Sequence, residues 1–144
     1  MAKYSPADLL AMSTAQLDQL FANAAPGKIP NGEAQGTALM DPGTTNSPQT
    51  AILVNHFAWQ GKVFDPKAGV LRNRILLNGL NAIVAKVYKD KSLLDGKECI
   101  VLDYSETSLV AHWIRDEIRL IGPGLYLGKV YWDKARLIDF ALQF

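Results

Sequence analysis

The sequence has one cysteine, Cys99, so no internal disulfide can hold it together. A secreted, cross-linked scaffold is therefore unsupported, and a cytoplasmic home is the default expectation. Charge of either sign is not in excess: 15 Lys and Arg face 14 Asp and Glu, leaving a net charge of +1. With no basic run interleaved with aromatics, this argues against a nucleic-acid partner. No apolar run is long enough to cross a bilayer, so no membrane span is expected. The opening MAKYSPADLLAMSTAQLDQLF interrupts its apolar residues with Asp8, Gln16, Asp18 and Gln19, which denies it the continuous core of a signal peptide. Histidine is scarce as well. His56, His112 and Cys99 offer no paired ligand spacing, so no metal site is expected. Neither Gly122-Pro123-Gly124 nor Gly61-Lys62-Val63 has the strand–loop–helix context of a phosphate loop, and no cofactor is implied. Internal repeats and low-complexity tracts are missing too.

What is present fits one domain of 144 residues, long enough to bury a single continuous core. Ser5-Pro6-Ala7-Asp8 opens a helix, with Ser5 as N-cap and Pro6 where a missing N–H costs nothing. Ser13 or Thr14 caps a second helix carrying Leu17, Leu20 and Phe21. Residues 1–24 are expected to form a helical lid or plug packed on something else. A Pro- and Gly-rich stretch follows, in which Glu33 to Met40 is a first strand ended by the Asp41-Pro42-Gly43 turn. A helix is expected near 47–59, opened by Ser47-Pro48 and presenting Ile52, Leu53 and Phe57.

From there the pattern is that of strands. Val63-Phe64 starts a sheet, Asp65 to Gly69 turns it, and Val70 to Leu77 returns. Asn78-Gly79 is a two-residue hairpin signal leading into Leu80 to Tyr88. Glu98 to Tyr104 is the next strand. Between Ser105 and Ile121 the periodicity supports two readings. A helix would put Leu109, Trp113, Ile114 and Ile118 largely on one face. A strand would alternate Ile114, Ile118 and Leu120 with Arg115, Glu117 and Arg119, leaving Asp116 out of place; a short turn followed by a strand from about Trp113 is preferred. Gly122-Pro123-Gly124 then reverses the chain, and Leu125 to Trp132 pairs with Arg136 to Phe144. About seven or eight strands joined mostly by short turns suit a mainly β fold, an antiparallel up-and-down barrel spanning residues 32–144, because closure removes exposed edges. Such a barrel has room for packed side chains or one small ligand.

The segments Gly27-Lys28-Ile29-Pro30-Asn31-Gly32, Trp59-Gln60-Gly61-Lys62-Val63-Phe64 and Arg115-Asp116-Glu117-Ile118-Arg119, with Tyr126-Leu127-Gly128, resemble the lipocalin-like (calycin) small bacterial barrel proteins. More narrowly they are similar to the GXWXG-type domains of unassigned role. The resemblance implies a barrel with an apolar interior and room for a ligand, and it carries over no catalytic residue.

The candidate chemistry has a plain alternative at each position. Lys62 is placed to meet an anionic head group such as a carboxylate while Trp59 lines an apolar cavity; equally, Lys62 snorkels to solvent past a packed Trp. Asp103 and His112 flank a connection that folds back, where an Asp orienting a His would make a general base; a lone imidazole is also a common surface residue. Arg115 to Arg119 is either an acid, base and anion clamp or a solvated strand face. Asp116 stands apart, because a carboxylate on an apolar face must find donors or take a raised pKa. Asp139 poses the same question among Leu137 and Ala141. Tyr104, Trp113, Tyr126, Tyr131, Trp132 and Phe140 supply aromatic surface for a pocket or simply a core.

The expected function is binding, in the barrel cavity, of a small, mostly apolar molecule, a carboxylate-bearing one included, with Trp59, Lys62, Tyr104, Trp113, Tyr126, Tyr131 and Phe140 as ligand contacts. The alternative is a cofactor-free isomerase or cyclase using His112, Asp116 and Asp103. A third reading is an interaction module with a filled interior, and an oligomer is compatible with the sequence.

Overall fold

The computed structural model describes residues 3–39, 62–73, 83–106 and 113–144. Ser5 caps α1 (Pro6–Leu10) and Ser13 caps α2 (Thr14–Ala22), each in a reciprocal capping box with the residue three positions on, Asp8 and Gln16. That exchange satisfies two backbone N–H groups per helix start, which lets even a five-residue helix persist once its apolar side is buried.

Eight strands follow: β1 (Gly32–Leu39), β2 (Lys62–Asp65), β3 (Val70–Asn73), β4 (Ile83–Lys91), β5 (Glu98–Asp103), β6 (Ile114–Gly122), β7 (Leu125–Trp132) and β8 (Ala135–Gln143). Each pairs antiparallel with the next, and β8 returns to β1, so the sheet is a closed barrel. Closure leaves no edge strand open for pairing with another chain. The β7–β8 reversal is made by Asp133 and Lys134, both at positive φ (46° and 72°), as a two-residue hairpin of right-handed twist requires. Trp113 is in the turn before β6, so the strand reading applies to the described part of 105–121; residues 107–112, the expected 47–59 helix and the Asn78-Gly79 hairpin lie outside the described residues.

Side chains alternate between two buried faces. The lumen takes Phe64, Leu71, Leu102, Ile118, Val130 and Phe140, among others. The opposite face of β5 to β8 is also apolar: Val101, Ile121, Leu125, Leu127 and Ala141 pack beneath Leu9, Leu17 and Phe21 of the helices. The N-terminal helices therefore clad the side of the barrel rather than plugging its mouth. Their covering role changes the reading of Arg115, Glu117 and Arg119. These side chains do point away from the lumen, but Glu117 and Arg119 are wholly buried rather than solvated.

One end of the barrel is closed by the segment after α2. Leu120 N–H donates to the Pro26 carbonyl, and the Tyr126 hydroxyl donates to the Lys28 carbonyl at 2.7 Å. Gly27 has φ +72° and sits so close to Leu120 that an added Cβ would lie 2.7 Å away. Only glycine meets both demands. Phe144 completes this end, with its ring 5.5 Å from those of both Phe64 and Tyr126.

Gly128 faces the lumen opposite Phe140 on β8, and the phenyl ring lies over the bare glycine. A Cβ there would meet the ring at 2.2 Å. Gly128→Val should therefore destabilise by about 1–3 kcal/mol in chemical unfolding, with part of the loss recovered in Gly128→Val/Phe140→Leu.

Candidate functional site

Lys62 opens β2 and Asp116 is third in β6, strands that face each other across an eight-stranded barrel. Lys62 shares the inward face with Phe64, and Asp116 shares it with Ile114 and Ile118; both charges are 4 % exposed. Their side chains meet in the lumen, Lys62 Nζ lying 3.7 Å from Asp116 Oδ2. That is ion-pair range and beyond a hydrogen bond. The Lys62 ammonium donates instead to the Tyr104 hydroxyl at 3.1 Å, just past the end of β5. It also lies 5.8 Å from the ring centroids of Tyr104 and Phe140.

Around this cluster the lumen is apolar. In register, Asp116 stands between Leu102 of β5 and Val130 of β7. Burial pushes its carboxyl up to about 6, with Lys62 and Tyr104 only partly opposing the shift. Burial likewise lowers the Lys62 ammonium below its ordinary value, against the pull of Asp116. Asp116 Oδ1 is buried and accepts no hydrogen bond among the described residues. A buried acceptor in that condition carries a desolvation cost that a donor would relieve.

The remaining candidates scatter. Tyr126 is in the lumen at the closed end, with its hydroxyl already committed to Lys28. Tyr131 alternates with Val130 and points outward, so it is not a lumen residue; its hydroxyl is buried near Arg136 and Asp139, and burial raises its pKa. Trp113 is half exposed at the rim, where it lines a groove of about 270 Å³ with Asp103, Arg115 and Asp133. Asp103 pairs in register with Arg115 on the outer face and accepts from the Tyr88 hydroxyl at 2.7 Å and from Ser105. These contacts hold its carboxyl below the usual range against the effect of burial. Asp103 and Asp116 therefore lie on opposite sides of the wall. Trp59 and His112 lie outside the described residues.

The outer wall holds its own charges. Lys129 donates to Asp18 of α2 at 2.6 Å and to Asp139 at 3.1 Å, and Arg136 forks onto Asp18 as well. Asp139 thus faces the cladding helix rather than the lumen. Arg119 donates from all five of its N–H positions: to both oxygens of Asp95 and to the carbonyls of Phe21, Lys97 and Glu98. Neither cluster is signalled by the sequence, because the partners come from α2 and from the β4–β5 turn.

The described residues show no group of three or more His, Cys, Asp and Glu positioned for a metal, and no helix among them is long and apolar enough to cross a membrane. No family model and no curated protein matches the chain. A crystal structure of a protein from Thermomonospora curvata superimposes with a TM-score of 0.62 at 13 % identity, covering 92 % of this chain and 87 % of that one. The likeness is one of fold alone.

Proposed function

We propose that the barrel binds a small, mostly apolar molecule whose polar end meets Lys62, Tyr104 and Asp116, in the manner of the lipocalin-like barrels that the sequence resembles. The observation that carries this reading is Asp116 itself. A carboxylate buried among Ile114, Ile118, Leu102 and Val130, with one oxygen lacking a donor among the described residues, costs the fold stability and is suited to meeting something else. Few, well-placed polar groups in an apolar enclosure are the usual make-up of a small-molecule site. Tyr126 and Phe144 pack together at one end, and Asp116 lies further along β6 from Leu120, the residue tied to that end.

Native mass spectrometry of the purified protein, followed by titration with a fluorescent apolar probe, tests the reading. The expected result is a co-purified apolar mass or saturable uptake of one probe per chain. Bare protein that takes up no probe would refute it.

A second reading is favoured by the Asp116 pKa of about 6. A carboxylate tuned near neutrality beside a Tyr hydroxyl and an ammonium is equipped to move a proton on a bound carbonyl compound, as a cofactor-free isomerase or cyclase would. On that reading Asp116→Asn abolishes turnover and leaves ligand uptake in place.

A further inference from the structure

We infer that the lumen site selects an uncharged molecule ending in a hydrogen-bond donor, a hydroxyl or an amide N–H, and discriminates against carboxylates and amines of the same apolar body. This rests on the ligand-binding reading above and specifies the head group. Lys62 is the cation that would attract a carboxylate, but its ammonium already has Asp116 at 3.7 Å and donates to Tyr104 at 3.1 Å. The pair is neutral as a unit. What it leaves open is an acceptor, Asp116 Oδ1, which is buried and without a donor among the described residues.

An incoming carboxylate would bring a second acceptor to that oxygen and place two like charges in an apolar enclosure. An incoming ammonium would satisfy Oδ1 but crowd a second cation against Lys62. A hydroxyl or amide N–H donates to Oδ1 and brings no charge. Among the described residues, the polar groups facing Asp116 inside the barrel are Lys62 from β2 and Tyr104 after β5; its register neighbours, Leu102 and Val130, carry no charge, and Glu117 on the outer face adds to the upward push of burial.

The test uses three probes with one alkyl chain, 1-decanol, decanoate and decylammonium, each displacing a fluorescent apolar probe from the full chain at about pH 8. Decanol should bind at least about tenfold more tightly than either charged probe, the consequence of leaving a buried polar group unmatched. In Asp116→Leu the order should invert toward decanoate, because Lys62 then lacks its counter-ion; Asp116→Asn, nearly identical in shape, should lose the preference if the Leu variant does not fold. Native protein that binds decanoate as tightly as decanol overturns the head-group inference and leaves ligand binding standing. If none of the three displaces the fluorescent probe although that probe binds, the inference likewise falls alone. Failure of the fluorescent probe itself to bind removes the reading beneath it.

Discussion

Replacing the whole lumen cluster with apolar side chains, Lys62→Met, Tyr104→Phe and Asp116→Leu together, should make the protein more stable at neutral pH, by about 1–4 kcal/mol. Both charges are held in the state that burial disfavours: Asp116 is raised from 3.8 to about 6, and Lys62 is lowered from 10.5. The signs follow from linkage. Because the folded Asp116 holds its proton more tightly than the unfolded one, native stability falls as pH rises from about 4 to about 6 and stays reduced above that. Lys62 acts in the other direction: its burial cost is full at low and neutral pH and disappears only as pH climbs toward 10.5. The stability gap between the triple variant and the native chain, already present in acid from Lys62, should therefore widen across the acidic window, hold through neutrality and narrow in alkali to the part that Asp116 contributes. Urea unfolding at a series of pH values measures it. The same variant should lose discrimination among head groups. A variant that is less stable at neutral pH would show that the cluster is kept for the barrel's own architecture and not for a ligand.

The second large effect is expected on the outside of the wall. Arg119→Met should cost about 3–5 kcal/mol, a large share of the roughly 5–15 kcal/mol that holds a domain of this kind folded. Its guanidinium is wholly buried, lies 4.4 Å from the Phe21 ring centroid and ties β6 to α2 and to the turn before β5. Removing it takes one donor from each of the Phe21, Lys97 and Glu98 carbonyls and two from the Asp95 carboxylate, which is left with the Lys97 N–H. Arg119→Lys should recover less than half of the loss, since an ammonium has three donors where five acceptor positions wait. Asp95 provides a separate signature. The hydrogen bonds from Arg119 depress its carboxyl to about 2, so it adds stability above its unfolded value of 3.8 that is lost as pH falls toward 2. In Arg119→Met that acid limb should flatten, which urea midpoints at about pH 3 and pH 7 would detect.

Much of the barrel is legible in the sequence because turns and helix starts are local chemistry. Ser5-Pro6, Ser13, Gly122-Pro123-Gly124 and Asp133-Lys134 act within a few residues of themselves, and each marks a boundary that the structure shows. Asp116 is legible as a misfit, one carboxylate on the face of Ile114 and Ile118. Its meeting with Lys62 is not, because only closure of the sheet brings β2 opposite β6. The outer wall is less legible still. LYLGKVYW in β7 shows no alternation, since both of its faces are dry, and a reader of the chain cannot know that α2 covers Lys129 or that Tyr131 points away from the lumen.

That double dryness bears on how the chain finds its pairing. In a sheet wetted on one side, sliding a strand by one residue turns its greasy side to water and is rejected at once. Here β6 and β7 would bury apolar groups in either alignment, so oiliness cannot arbitrate between them. Arg119, Glu117 and Lys129 can: shifted by one place, each would be thrust into the lumen, away from Asp95, Ser92 and Asp18. The charges sealed under the helices thus serve as teeth that let the strands engage in one alignment and block the next.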